Sequence, residues 1–187
     1  MDFLIDLWLP ILASAVGVFF SSSLLHMVLP LHKSDYGQLP NEDAVCAAIR
    51  EGGAGKGHYV LPYCVDFNEL GSEEMQAKFA QGPVGFVTLK DSGMPKMGAT
   101  LGQWFVFTVF IGTWVAYVAN LSLLPGASFT EVFRTVGTVG VLAYAFGTIP
   151  ESIWKGLSWS ISLKFVLDGL LYGLVTGAVF AWLWPGV

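Results

Sequence analysis

Four long apolar stretches dominate the pattern of hydrophobic and polar positions along the chain. They cover residues 3–31, 100–124, 130–149 and 163–184. A helix of about 20 apolar residues crosses the hydrocarbon core of a bilayer. In lipid a spanning backbone must also satisfy its own hydrogen bonds, which favours helices. The pattern therefore predicts an all-α polytopic membrane protein, built as a bundle of four transmembrane helices.

A polar segment, residues 32–99, separates the first two stretches. Asn41 and Ser72 each precede acidic residues and a short amphipathic pattern, so they predict the starts of two short helices. Residues 83–90 are apolar and β-branched, which is typical of a short strand, although one strand needs a partner. We expect this insert to cap the cytoplasmic end of the bundle or to serve as a docking surface.

A second, shorter polar segment lies between the third and fourth stretches. Over residues 150–162, Ile153, Leu157 and Ile161 recur on one helical face with Trp154 close by. Such a pattern indicates an amphipathic helix that lies in the plane of the membrane interface.

The composition agrees with a membrane protein. Hydrophobic residues make up 54% of the 187 residues and charged ones 12%, whereas a typical soluble domain carries about 25% charged residues. The net charge of −5 excludes a nucleic-acid partner, because binding to phosphates needs a basic surface. Membrane lipids are the partner that the composition predicts most directly.

The basic residues that flank the spans predict the orientation of the chain. Lys33, Lys96, Lys155 and Lys164 fall on one side if there are four spans, and the basic side faces the cytoplasm. Both termini are then outside, and the insert and the 150–162 loop are cytoplasmic. The architecture resembles that of small four-helix bacterial membrane proteins, so we expect the inner membrane of a bacterium.

Glycines repeat at helical spacing in two of the spans. Gly169, Gly173 and Gly177, followed by Ala181, form a smooth ridge along the fourth span, and Gly98 and Gly102 form a shorter one at the start of the second. Small residues let membrane helices approach closely. The ridge, a glycine zipper, predicts helix packing, either inside the bundle or against a neighbouring subunit, a bound lipid or a pigment.

Polar residues also recur at helical spacing within the spans. Asp168 and Tyr172 lie four residues apart in the fourth span, as do Ser22 and His26 in the first. Polar stripes in lipid face the bundle interior. His26 and Asp168 have matched depths, so we expect them to meet in a proton or ligand site. Alternatively, Lys164 pairs with Asp168, and His26 bonds to a carbonyl freed by a proline.

No pattern of catalytic residues or metal ligands is present in the sequence. His32, His58, Cys46 and Cys64 are weak metal candidates, because no CxxC or HxxxH spacing occurs. If the insert is cytoplasmic, both cysteines are expected to be free thiols. We therefore predict no catalytic residue, no metal site and no cofactor beyond a lipid or pigment at the bundle surface.

The small size, the glycine ridge and the lack of catalytic motifs favour a structural or accessory subunit of a larger membrane complex. Its partners would be other membrane subunits or further copies of this chain. A small transporter or channel, with His26 and Asp168 in a polar cytoplasmic vestibule, is the alternative. A membrane-bound enzyme that uses His26, His32, His58 and Asp35 is a third hypothesis, although no nucleophile–base pair can be recognised from spacing.

Overall fold

The computed structural model describes residues 3–186, and four of its helices are long and apolar enough to cross a membrane. The chain forms two compact units. One contains the segment up to Asp35 together with the chain from Lys96 onward, and the other is the insert, Tyr36–Pro95.

The first unit is the helical bundle. Its α-helices, with the insert helices taking the numbers in between, are α1 (Phe3–Asp6), α2 (Trp8–Ser23), α5 (Met97–Ser122), α6 (Phe129–Ala145), α7 (Ile149–Lys155) and α8 (Trp159–Trp182). A π-helix, Leu24–Val28, continues α2, and a 3₁₀ turn, Pro30–His32, follows it. The first span and α6 are a few residues shorter than the predicted stretches, whereas α5 and α8 begin a few residues earlier than predicted and end two residues earlier.

The spanning helices form a closed ring in which α2 contacts α5 and α8, and α6 contacts α5 and α8. The first and last spans are thus neighbours, as in an antiparallel four-helix bundle. Val115, Val136 and Phe180 lie in the core cluster nearer the chain termini. Val18 and Tyr172 lie in a second cluster towards the other end.

The glycine ridge of α8 packs against α6. A Cβ atom on Gly173 would come within 2.5 Å of the Val141 backbone nitrogen, and one on Gly177 within 2.9 Å of the Gly137 Cα. A Cβ on Gly169 would collide with the backbone of Ala145. These glycines therefore allow the two backbones to approach more closely than any side chain would permit.

The other small residues singled out from the sequence have different surroundings. Nothing lies within 4 Å of the position that a Cβ would take on Gly98 or Gly102. Ala181 is partly buried against the core cluster nearer the termini.

The segment before α8 is a shorter helix than the sequence predicts. The expected amphipathic helix, residues 150–162, ends at Lys155, because Gly156 takes the left-handed conformation (φ 71°) and terminates α7. Residues from Trp159 onward already belong to α8. Ser152 and Ser162 join the two helices through a buried 2.6 Å hydrogen bond between their hydroxyl groups.

The insert contains a two-stranded antiparallel sheet where the sequence predicts a single strand. Strands β1 (Gly57–Leu61) and β2 (Gly85–Leu89) are antiparallel, with Gly57 opposite Leu89 and Leu61 opposite Gly85. The partner of the predicted strand is thus an aromatic segment whose pairing could not be inferred from its own residues. A strand pair satisfies the backbone groups that one strand would leave open.

The two predicted helices of the insert are present as α3 (Glu42–Glu51) and α4 (Glu73–Gln81). Ser72 caps α4 by accepting a hydrogen bond from the Met75 backbone N–H. Asn41 precedes α3 but makes no side-chain cap, because it adopts the left-handed conformation (φ 51°). Met75 is the one buried residue between Tyr36 and Pro95, so the insert has a very small core.

Candidate functional site

The end of the first span has an unusual backbone that brings two histidines together. The π-helix places His26 one turn before Leu29, whose extended backbone (φ −83°, ψ 142°) ends the helix ahead of Pro30. The 3₁₀ turn then folds the chain back, and the imidazole of His32 stacks on that of His26 with 4.1 Å between ring centroids. Single π-helical turns occur frequently at functional sites.

Asp168 of α8 faces both imidazoles. Its Oδ2 atom lies 3.3 Å from Nε2 of His26 and 3.0 Å from Nε2 of His32. The side chain of Asp168 is 6% exposed and that of His32 9%, whereas His26 is 35% exposed. The structure therefore brings the two residues of matched depth into contact and adds a third, His32.

A second carboxylate fixes His32 from its other side. Oδ2 of Asp35 lies 2.6 Å from Nδ1 of His32, and Lys164 of α8 donates to Oδ1 of Asp35 and to the Ser34 hydroxyl. The hydrogen bond from Lys164 keeps the pKa of Asp35 below its ordinary value of 3.8, burial opposes this shift, and the contact with His32 adds to it. Lys164 is thus paired with Asp35 and not, as the sequence also allowed, with Asp168.

This network determines which histidine nitrogen carries a hydrogen. A carboxylate only accepts hydrogen bonds, so a neutral His32 donates its Nδ1–H to Asp35 and has a lone pair on Nε2. Within residues 3–186, neither Nε2 of His32 nor Oδ2 of Asp168 has a hydrogen-bond partner, and both are buried. The two atoms lie 3.0 Å apart without forming a hydrogen bond.

A cavity of about 490 Å³ lies next to this cluster, between α2, α5, α6 and α8. Aromatic and aliphatic side chains make up most of its wall, among them Trp104, Phe107 and Tyr144. His26 and Asp168 belong to its polar part. The volume is within the range of small-molecule sites, which are typically apolar with a few convergent polar groups.

Two hydroxyl groups in the wall of the cavity have different environments. Ser22 of α2 accepts a 2.8 Å hydrogen bond from the indole nitrogen of Trp104 in α5. The Tyr172 ring packs edge-on to Tyr144 and Trp104. Its Oη is buried and, in the described part of the chain, without a hydrogen-bond partner. Tyr172 therefore has, in the wall of the cavity, a buried polar atom with unused hydrogen-bonding capacity.

The remaining candidates from the sequence lie in the other compact unit. His58 is on β1, where its Nδ1 is 3.1 Å from the Thr88 hydroxyl of β2. Cys46 and Cys64 are both free thiols. None of these three belongs to the group of ligand atoms around Asp168.

From the sequence, Asp35 was named only in the enzyme hypothesis, and Lys164 was named at the site only as an alternative partner of Asp168, so their contact with each other was not predicted. The spacing of His32 and Asp35, three residues apart, was the available signal for one of the contacts. The contact between Asp35 and Lys164 joins positions 129 residues apart, and nothing in either segment indicates the other. Tyr172, Ser22, His26 and Asp168 were all identified from the stripes.

No family model, curated protein or solved structure matches this chain.

Proposed function

We propose that this integral membrane protein binds a small amphiphile, with the apolar part of the ligand in the cavity and a hydrogen-bond acceptor directed at Tyr172. The observation that carries the proposal is a largely apolar cavity of about 490 Å³ whose wall includes Tyr172, a residue whose buried hydroxyl has no partner among residues 3–186. A buried polar group without a partner costs about 1–3 kcal/mol, and a ligand acceptor would recover part of that cost.

The chemistry of the wall narrows the ligand class. Trp104, Phe107, Tyr144 and Phe165 offer ring faces and edges, which suit a flat aromatic or conjugated body. The Tyr172 hydroxyl can donate to a carbonyl. An aromatic ketone or a related conjugated carbonyl compound combines both features.

The glycine ridge no longer argues for an accessory subunit, because its own chain covers it: Gly169, Gly173 and Gly177 lie against α6. The wall of the cavity is mainly apolar, which suits an amphiphile better than it suits the polar vestibule of a channel. Assembly with other subunits and transport remain predictions from the sequence.

A matched pair of probes tests the proposal. Acetylnaphthalene carries a carbonyl, whereas ethylnaphthalene has a similar shape without it. The wild-type protein in lipid nanodiscs is expected to bind acetylnaphthalene more tightly by about fivefold, the effect of one net hydrogen bond of about 1 kcal/mol. Saturation binding to nanodiscs, with empty nanodiscs subtracted, measures the difference.

Tyr172→Phe is the decisive variant. It is expected to bind both probes equally while it melts at the same or a slightly higher temperature, because the substitution removes an unpaired buried hydroxyl. Tyr117→Phe is the matched control, since Tyr117 lies on α5, outside the cavity wall, and should keep the preference. The proposal is wrong if the wild type binds neither probe, or if the two variants behave alike.

A further inference from the structure

The cluster beside the cavity has the composition and spacing of a metal site. Nε2 of His26, Nε2 of His32 and Oδ2 of Asp168 lie within 4.8 Å of one another. Ligand atoms at about 2.0–2.1 Å from a zinc-like ion are separated by about 2.8–3.4 Å, with octahedral arrangements at the lower end of this interval and tetrahedral ones at the upper end. The separations from Asp168 Oδ2, 3.0 and 3.3 Å, fall in that interval.

The unpartnered atoms point to a cation. Nε2 of His32 and Oδ2 of Asp168 belong to side chains more than nine-tenths buried, and within residues 3–186 neither atom has a hydrogen-bond partner. With no hydrogen bond between them, the Nε2 and carboxylate oxygen atoms repel at 3.0 Å, and a cation that contacts both atoms would remove that repulsion. The nearby positive charge of Lys164 is held by Asp35, so it does not neutralise Asp168.

The surroundings of His32 also match those of a metal ligand. Metal-binding histidines usually donate their other ring N–H to a carboxylate, which fixes the tautomer and the ring orientation. Asp35 has this relation to His32, with 2.6 Å between Oδ2 and Nδ1 and with its own side chain only 2% exposed. Lys164 in turn holds Asp35 in place.

We propose that His26, His32 and Asp168 bind one divalent first-row transition-metal ion, for which Zn²⁺ is the best match. Two imidazoles and one carboxylate are a common zinc ligand set, and three protein ligands leave a coordination position open. Because His26 and Asp168 also line the cavity, the ion borders it. The inference stands on the ligand geometry and does not depend on the amphiphile.

Binding must alter one feature of the cluster. The imidazole planes are inclined by only 24°, and each nitrogen lone pair lies in the plane of its ring. A shared ion therefore requires the rings to turn out of their stack. His26, with 35% of its side chain exposed, has the space to do so.

The first experiment measures stoichiometry and affinity without any amphiphile. The protein carries a purification tag that contains no histidine. Cys46 and Cys64 are changed to serine, so that no thiol competes for the metal. A chelator then removes any bound metal. Titration with Zn²⁺ by calorimetry is expected to give one ion per chain. Co²⁺, followed by visible absorption, is expected to give the spectrum of nitrogen and oxygen ligands. Absence of stoichiometric binding of either ion would overturn the proposal.

Histidine variants then locate the site. His26→Gln and His32→Gln are each expected to weaken Zn²⁺ binding by at least 100-fold. His58→Gln is the matched control, because His58 contacts Thr88 on strand β2 of the insert, and it should bind Zn²⁺ like the parent. Equal losses in all three variants, or in none, would contradict the assignment and indicate adventitious binding or a site elsewhere.

Asp35→Asn tests the role given to the second carboxylate. Loss of an outer-sphere partner typically weakens metal binding by 10–100-fold, so the variant should still bind one Co²⁺ with an altered spectrum. Zn²⁺ should raise the melting temperature of the parent and of His58→Gln, and it should not raise that of His26→Gln. If the two histidines and Asp168 merely share a proton, Zn²⁺ will leave all the melting temperatures unchanged, which refutes the proposal.

Discussion

Along α8, the face that meets α6 and the face that meets α2 hold the bundle together by different means. Towards α6 the helix presents Gly169, Gly173 and Gly177, and the two backbones are almost in contact. Towards α2 it presents Asp168, which meets an imidazole, and Tyr172, which packs in a cluster with Val18. One face depends on the absence of side chains, and the other depends on the chemistry of side chains.

The difference reflects the solvent. Lipid tails are as apolar as leucine, so helices in a membrane associate through close packing and hydrogen bonds and not through the exclusion of water. The face of α8 that meets α6 associates through close packing and needs no polar group from another helix. The α2 side leaves room for a cavity and for polar atoms without partners, features that add no stability and are typical of binding sites.

The largest effect is expected where the α6 face is filled. Gly173→Leu should destabilise the bundle by about 3 kcal/mol or more, because its Cβ alone would overlap Val141 at 2.5 Å and the neighbour is backbone, which cannot move aside cheaply. Thermal unfolding in detergent measures the loss. Gly102→Leu is the control, since nothing lies within 4 Å of its Cβ position. Equal melting temperatures for the two variants would show that the contact between the α8 glycines and α6 is not the main source of the bundle's stability.

An intermediate effect is expected on the other side of the comparison. Ser22→Ala should cost about 1 kcal/mol, because it leaves the Trp104 indole N–H without its acceptor between α5 and α2. The double variant Ser22→Ala with Trp104→Phe should lose less than the sum of the single variants, which a double-mutant cycle measures. Strict additivity would mean that this hydrogen bond contributes nothing.

The smallest effect is expected for a polar group on the α6 side. The Thr176 hydroxyl donates to the Tyr172 carbonyl of its own helix at 2.8 Å. Thr176→Val should therefore change stability by no more than about 0.5 kcal/mol. Thr176→Leu, which enlarges the side chain, should cost about 1–3 kcal/mol. A larger loss of stability for Thr176→Val than for Thr176→Leu would show that hydrogen bonding, and not side-chain shape, determines how this face packs.

Much of the bundle could be predicted from local pattern. The spans follow from the length and continuity of the apolar runs, and the depths of His26 and Asp168 follow from their distance to the ends of the spans. Their contact was predicted because a ring of four antiparallel helices makes the first and last neighbours. The two-stranded sheet was predicted only in part, since the pairing of β1 with β2 depends on residues about thirty positions apart, as in the contact of His58 with Thr88.

By itself, the sequence determined that the chain has four helices long and apolar enough to cross a membrane, one of them carrying a glycine ridge beside a polar stripe. Hydropathy and helical periodicity are properties of neighbouring residues, so they can be recognised without the fold. Only the tertiary structure decided what each face of α8 contacts. The glycines lie against α6. Asp168 lies against His32, which the π-helix and the turn at Pro30 bring back towards the helix. The pairing of Lys164 with Asp35 was decided in the same way. These contacts depend on the angle and register at which distant helices pack, and no local pattern encodes those quantities.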